Sequence, residues 1–469
     1  MTKGTATMGT TLRNARGPSL AGARVVVLGY GRSGRAAAGL LARAGAEVRV
    51  SDSSSAEKLG VTSQPPGGGR WLGGEDPSVL DNVDLVVTSP GVPPDNPLLA
   101  AARERGLPVR SELELGWWFA MAPIIAITGT NGKTTTTELV GAMGRAGDRA
   151  TRVVGNVGTP LTAVAGEPAD LLAVEVSSFQ LEYCEDFRPE VAAVLNLTED
   201  HLDWHPDFAH YVAAKRKLFA RQRENDAAVL NEGDPHSTLF ISGLHSRPHL
   251  FSQVSEPARG AFLRDGRVIL RTAAGESSPL ALSEWQLPGR HNRENLLAAA
   301  LCARLAGLGD EAIARGARDF RGLAHRMELV AEIDGVCFVN DSKSTNPGSL
   351  AKALDPEAPA LLIAGGLTKG CDFRPLRDVV SKGVRIAYLI GEGAATIAAA
   401  WQGACRTVCA GDLESALASA RAEARPGERV LFSPGCASFD QFENYVQRGE
   451  RFRELVRRGR GAQDDEENE

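Results

Sequence analysis

The chain has 469 residues, too many for one average domain, so roughly two to four are expected. Hydrophobic residues make up 43% and charged residues 23%, a balance that excludes a disordered or fibrous protein and can fill several cores. The formal charge of −6 gathers in a C-terminal run of Asp464, Asp465, Glu466, Glu467 and Glu469, so the body is close to neutral and offers no basic surface for nucleic acid.

That acidic run is expected to be solvated and disordered, with no partner. The first twenty residues are polar and lack the apolar core of a signal peptide. The best apolar stretch, around Leu296–Leu308, is interrupted by Arg304. A cytoplasmic protein without membrane insertion is therefore expected. The seven cysteines fit this, because no Cys-x-x-Cys pair occurs. Cys405 and Cys409 are four apart but have no second pair beside them, and buried free thiols are expected throughout.

Three blocks follow in chain order, each with short β-rich runs alternating with Ala-rich helical stretches. That pattern predicts α/β architecture, with parallel sheets covered by helices. The first block opens with the strand Arg24–Leu28 and continues into Gly29-Tyr-Gly31-Arg-Ser-Gly34. Asp52 ends the next strand, Glu47–Val50, an acid placed for a ribose hydroxyl. This is a dinucleotide fingerprint; alone it indicates a nucleotide or pyrophosphate at a helix N-terminus without saying which. Ser89-Pro-Gly91-Val ends the strand Asp84–Val87 on the same rim. Gln64–Gly69 reads as a surface loop.

The second block begins with AITGTNGKTTTTE, residues 126–138. A short apolar strand, Ile124–Ile127, runs into a Gly-rich turn followed by Lys133 and threonines. Backbone N–H groups, a helix N-terminus and the lysine charge together suit a phosphate. Thr134 would place its hydroxyl on Mg²⁺. The usual loop starts with a glycine six residues before its lysine; here that position is Ile127, so the loop is a variant. Further on, Leu171–Val176 carries Glu175 near its end, and Val191–Leu197 leads to Thr198-Glu-Asp-His201. Glu175 and His201 are candidate Mg²⁺ ligands, although Mg²⁺ prefers oxygen. His205 and His210 read as surface or capping residues. Ser255–Ser278 reads as an irregular or hairpin insertion. The third block has strand-like runs at Val336–Val339, Ala360–Ala364, Ile386–Ile390 and Val430–Phe432.

Seven motifs in order carry a resemblance. They are Thr128-Gly-Thr-Asn-Gly-Lys-Thr134, Glu175-Val-Ser-Ser-Phe-Gln180, Asn196-Leu-Thr-Glu-Asp-His201, Tyr211-Val-Ala-Ala-Lys215, Leu287-Pro-Gly-Arg-His-Asn292, His325-Arg326 and Asn340-Asp-Ser-Lys-Ser-Thr-Asn346. Together they resemble the Mur ligase family over roughly residues 20–455. The Rossmann-like first block and Ser433-Pro-Gly-Cys-Ala-Ser-Phe-Asp-Gln-Phe442 look like its glutamate-adding branch. One departure is Ser53-Ser54 after Asp52, where some relatives place a basic residue.

The resemblance implies three domains: a Rossmann-like UDP-substrate domain at 1–112, a P-loop ATPase-like domain at 113–322 with a mostly parallel sheet, and a Rossmann-like glutamate domain at 323–469. It implies ATP-dependent joining of D-glutamate to UDP-N-acetylmuramoyl-L-alanine through an acyl phosphate, in peptidoglycan precursor synthesis, by a monomer. Gly129, Thr130, Asn131, Gly132, Lys133, Thr134, Thr135, Asn292, Asn295, Arg326 and Asp341 would hold ATP. Gly31, Arg32, Ser33, Asp52, Gly91, Asn156 and Gln180 would face the UDP substrate, and Thr345, Lys369, Ser438 and Tyr445 the glutamate. Thr134, Glu175, His201 and Lys215 would hold two Mg²⁺ ions, Lys215 as a CO₂-derived carbamate. Lys133, Lys215 and His201 would serve the chemistry directly. The alternatives are a sister ligase adding L-glutamate or another amino acid, a nicotinamide-dependent dehydrogenase using Gly29–Gly34, and a non-catalytic nucleotide-binding module. The dehydrogenase would leave the loop at 129–134 unexplained.

Overall fold

The computed structural model describes residues 16–61, 69–200, 204–287 and 289–466. The expected surface loop at 64–69 therefore lies outside the described residues except for Gly69, and so does His201. The chain divides into two compact units, residues 1–320 and 321–469.

The first unit holds two sheets. One has five parallel strands in the order β3-β2-β1-β4-β5. Its members are β1 (Arg24–Leu28), β2 (Glu47–Asp52), β3 (Arg70–Leu72), β4 (Leu85–Thr88) and β5 (Val109–Ser111). The strand β1 is buried from Val25 to Leu28, as a parallel strand covered on both faces must be.

The second sheet has nine strands: β6 (Ile124–Thr128), β7 (Thr151–Gly155), β8 (Leu171–Glu175), β9 (Val191–Val194), β10 (Ala227–Asn231), β11 (Arg247–Ser252), β12 (Gly260–Arg264), β13 (Arg267–Thr272) and β14 (Gly275–Ala281). Their order is β14-β13-β12-β11-β10-β9-β6-β8-β7. Seven strands, β6 to β12, run parallel, and β12 to β14 form an antiparallel meander. The insertion read at 255–278 is this meander, which lengthens the sheet by three strands. From β6 the chain passes to β7 and β8 on one side and then to β9 on the other. The end of β6 is thus a topological switch point, where a crevice opens beyond the strand ends.

The second unit has one sheet, ordered β15-β16-β20-β17-β18-β19. It comprises β15 (Glu328–Ile333), β16 (Val336–Asn340), β17 (Ala360–Gly365), β18 (Val384–Ile390), β19 (Arg406–Gly411) and β20 (Arg429–Phe432). Only β15 is antiparallel to its neighbour in this sheet. Clusters on both faces, one around Trp401 and Phe373 and one around Tyr388 and Phe452, sandwich it.

The acidic tail departs from expectation. The last helix runs Tyr445–Glu466 and includes Asp464, Asp465 and Glu466; 467–469 lie outside the described residues. Its first half is anchored by buried Phe452, Leu455 and Val456. Once that nucleus is packed, each added residue fixes one more bond at low cost, so the helix propagates into the polar run.

Candidate functional site

Beyond β6 the chain turns through Gly129 at φ +152 and Gly132 at φ +82, conformations that side chains resist. Gly132 has a second constraint: a Cβ there would sit 2.3 Å from Asn295 Oδ1. The helix Lys133–Ala146 starts at this turn, so its free N–H groups face the loop. Lys133 Nζ donates to the carbonyls of Gly129 and Thr130, each at 2.9 Å, and closes the loop on itself. Thr134 and Thr135 are half-buried in the first helical turn.

The neighbouring strand end fixes the outer part of the loop. Asn196 accepts the Asn131 N–H at 2.8 Å through Oδ1, and its amide donates back to the Asn131 carbonyl at 3.2 Å. Thr130 Oγ1 lies 3.0 Å from the Tyr211 hydroxyl and accepts the Thr198 N–H at 3.0 Å. Asn295 is buried; it accepts from Thr136 Oγ1 at 3.3 Å, and its amide points at Asn292 at 3.5 Å.

Lys215 lies in the helix Phe208–Arg216 and is 1% exposed. Its Nζ donates to Thr128 Oγ1 at 3.0 Å and to the Gly129 carbonyl at 3.2 Å, and sits 4.6 Å from the Tyr211 ring centre. Burial lowers its pKa well below the usual lysine range. The Lys133 charge lowers it further, against the pull of Asp200 and Glu175. This lysine is therefore disposed to be an uncharged amine.

Glu175, the last residue of β8, is buried. Its Oε1 accepts from Asn156 at 3.1 Å, while Oε2 has no hydrogen-bond partner. An orphaned buried carboxylate oxygen and the threonine hydroxyl of the loop's first helical turn are oxygen donors of the kind a divalent cation takes. Among the described residues no three His, Cys, Asp or Glu side chains gather as a metal group, so the site does not rest on such a cluster.

The rim of the first sheet collects the other expected UDP contacts. Asp52 accepts the Tyr30 N–H at 2.7 Å and the Ser54 N–H at 2.8 Å, tying the glycine loop to the end of β2. Ser89 Oγ donates to the Gly29 carbonyl at 2.8 Å, bringing Gly91 to the same rim. Gly31 and Arg32 are exposed there and Ser33 is half-buried. Gln180, by contrast, is 1% exposed and caps its own helix, its Oε1 accepting the Ser177 N–H at 3.0 Å.

In the second unit, β16, β20 and β17 are adjacent, and their ends carry Thr345, Ser438 and Lys369 respectively. A bridge between Leu367 and Ala437 joins the last two loops. Lys369 is exposed, takes φ +51, and holds Nζ 5.1 Å from the Phe439 ring centre. Thr345 is exposed, Ser438 buried and Tyr445 half-buried. Asp341 accepts from Ser433 Oγ at 2.7 Å and from the Met327 N–H at 3.2 Å. Burial pushes its carboxyl up to about 6, against those donors and the Arg326 and Lys343 charges. Arg326 is exposed.

Two groups depart from the reading or escaped it. His205 is buried rather than at the surface: its Nε2 lies 2.9 Å from Ser178 Oγ and its ring stacks on Phe179. Its partners Ser178 and Phe179 lie 26 or more residues earlier in the chain and Tyr211 in the following helix, which spacing along the chain does not reveal. His210, as expected, is exposed and takes part in the Asp207 cap. Glu112, fully buried at the start of the helix Glu112–Trp118, had not been singled out. A glutamate directly before the largely apolar run Leu113–Phe119 is the signal the sequence offers.

With this geometry in hand, comparison with known proteins defines the class. Models of a Mur ligase MurD-like N-terminal domain, a Mur ligase middle domain and a Mur ligase glutamate ligase domain match residues 23–111, 127–303 and 325–436. The chain belongs to the Mur ligase family. It is 44% identical over 451 residues to a UDP-N-acetylmuramoylalanine--D-glutamate ligase of Acidobacterium capsulatum, spanning 94% of this chain and 98% of the relative. A ligase of the same name from Anaeromyxobacter dehalogenans is 45% identical over 460 residues, again spanning 94% and 98%. Among solved structures, a UDP-N-acetylmuramate-alanine ligase of Thermotoga maritima aligns with a TM-score of 0.53 at 17% identity, covering 94% of this chain and 99% of that one. A pseudomurein peptide ligase type C from Methanothermus fervidus gives 0.51 at 18%, covering 93% and 99%. At these identities the structural likeness is one of fold. Among the described residues, no helix is long and apolar enough to cross a membrane.

Proposed function

We propose that this chain joins D-glutamate to UDP-N-acetylmuramoyl-L-alanine and converts ATP to ADP and phosphate, in the cytoplasmic assembly of peptidoglycan precursors. The observation that carries the reading is the meeting at the end of β6 of the Lys133 loop and the buried amine of Lys215. Near-identity of length with relatives named for this reaction supports it.

A carboxylate is a poor electrophile, so the acceptor carboxylate attacks the γ-phosphate of ATP and ADP leaves. The amine of glutamate then attacks the acyl carbon of the acyl phosphate, a proton is lost, and phosphate departs. Lys133 leaves its two carbonyls to meet the β- and γ-phosphates, and the helix N-terminus behind it favours the same anions. Asn295 borders the loop, with Asn292 beside it, and both would serve the nucleotide, as would Arg326 and Asp341. Thr134 and Glu175, with His201, would hold Mg²⁺, which when bound neutralises phosphate charge.

Lys215 as a cation would repel such an ion. Its uncharged amine attacks CO₂ and releases a proton, leaving an anionic carbamate oxygen where the cation had been. The donors Lys369, Thr345 and Ser438, with Tyr445, face the two glutamate carboxylates from one rim. Gly31, Arg32, Ser33, Asp52 and Gly91 would receive the uridine nucleotide and Asn156 the sugar–alanine end, while Gln180 is buried behind that end as a helix cap and does not face the substrate. The chain is proposed to act as a monomer, with the three functions assigned to domains at 1–112, 113–322 and 323–469.

The test is ADP and phosphate release by purified protein across a matrix of UDP-muramoyl acceptors and amino acids, with the product weighed by mass spectrometry. Release with UDP-N-acetylmuramoyl-L-alanine plus D-glutamate alone is expected. Equal or greater release with L-glutamate or another amino acid would move the chain to a sister reaction.

A further inference from the structure

Glu112 follows β5 directly and is enclosed between two segments that end beside Glu175. On one side its Oε1 accepts both the N–H of Thr162, at 2.8 Å, and the Thr162 hydroxyl, at 2.5 Å. Thr162 opens the short helix Leu161–Val164, which follows the loop Gly155–Pro160 that contains Asn156. Asn156 in turn bonds Glu175 twice, through its N–H to the Glu175 carbonyl at 2.9 Å and through its amide to Oε1.

On the other side stands Gln180. Its Oε1 is taken by the Ser177 N–H and hydroxyl, at 3.0 and 3.1 Å. That leaves Gln180 Nε2, a donor, and Glu112 Oε2, an acceptor, as two buried atoms with no hydrogen-bond partner. Burial raises the Glu112 pKa, and the Thr162 donors and the nearby Gln180 amide work against that rise. Donor and acceptor therefore alternate along the line Ser177–Gln180–Glu112–Thr162, and leaving either end unmatched in so dry a place is costly.

We infer that Glu112 is a positioning residue for the acceptor end of the proposed reaction, clamping the Asn156 loop to the Ser177–Gln180 turn. The inference rests on the reading of a UDP-muramoyl acceptor at this site. An acceptor-only carboxylate is required, because both of its neighbours present donors. A glutamine of the same shape would offer an amide to another amide, and Gln180 would have to turn over and abandon Ser177.

The experiment compares the intact protein with Glu112→Gln and with the exchanged pair Glu112→Gln/Gln180→Glu, which restores the alternation with the same heavy-atom skeletons. KM for UDP-N-acetylmuramoyl-L-alanine and for ATP, kcat and the thermal midpoint are measured for each. Glu112→Gln is expected to raise the acceptor KM at least tenfold, with the ATP KM within twofold, and the exchanged pair to recover most of that loss. An acceptor KM within twofold of wild type overturns the inference. So does a rise that the exchanged pair does not reverse, or a rise in both KM values in step with a lowered midpoint, because either would mark a merely structural acid. If the wild-type protein itself ligates nothing with this acceptor, the functional reading fails instead.

Discussion

At the end of β6, the side chains proposed for the phosphate chemistry are engaged with one another. At the ends of β16, β20 and β17, two of the four proposed for glutamate, Thr345 and Lys369, are exposed. Lys133 closes on its own loop, Lys215 is sealed under it, and Asn295 is buried against Gly132. Lys369 rests only on the face of Phe439. A group that must stabilise charge during transfer gains most when fixed and dry, because then it need not reorganise at the moment of reaction. A group that selects an amino acid can stay open until the ligand arrives. The two rims should therefore fail differently: the first in turnover, the second in the affinity for one substrate.

The largest effect is expected at Lys215. Lys215→Ala should cut turnover by roughly 10³-fold, in the range lost when one buried stabilising group is removed. A short carboxylate such as acetate should restore part of it by supplying the missing anion. Turnover within tenfold of wild type would place Lys215 among structural residues.

Next comes Asp341, a buried acid under the second rim. Its folded value of about 6 stands above the ordinary 3.8, so between these values the folded state keeps a proton that the unfolded chain has released. Its contribution is thus present at low pH and is lost as pH rises through that window. The two-unit difference is worth up to about 3 kcal/mol. In urea titrations from pH 4 to 6.5, wild type should lose stability relative to Asp341→Asn; parallel curves would contradict the assignment.

Lys369→Ala should raise the glutamate KM by about 30-fold, or roughly 2 kcal/mol, for a carboxylate left without its partner. Steady-state kinetics should find the ATP and acceptor KM values unmoved. If all three rise together, glutamate is held elsewhere. The smallest effect belongs to Phe439→Leu, which removes the ring beneath Lys369. A cation–π contact at an exposed site is worth about 0.5–1 kcal/mol, so the glutamate KM should change by about two- to fivefold, with kcat constant.

The same contrast explains what could be read from the sequence. The strands β1, β6, β8, β17 and β20 are short, mostly apolar runs, three of them ending at or beside a glycine, because parallel strands covered on both faces leave few polar positions. The strands β7 and β11 carry arginine, threonine, proline or histidine and show no long apolar run, and β12 to β14 hold only short apolar stretches beside glycine, arginine, serine and glutamate. Lys133 and Thr134 were legible because a phosphate loop is local: strand, turn, lysine and hydroxyl adjoin in the chain. The clamp at Glu112 was not, since its partners Thr162 and Gln180 lie 50 and 68 residues away and meet it only after folding. His205 escaped for the same reason, its shell being assembled from separate segments.

The account turns on a carboxylate activated by phosphoryl transfer, and one measurement reaches that step directly. UDP-N-acetylmuramoyl-L-alanine labelled with ¹⁸O in its free carboxylate is incubated with ATP, Mg²⁺, D-glutamate and the protein, and the released phosphate is analysed by mass spectrometry. An acyl phosphate requires one carboxylate oxygen to leave with the phosphorus, so phosphate carrying a single ¹⁸O is predicted. Product formed with unlabelled phosphate would contradict the mechanism.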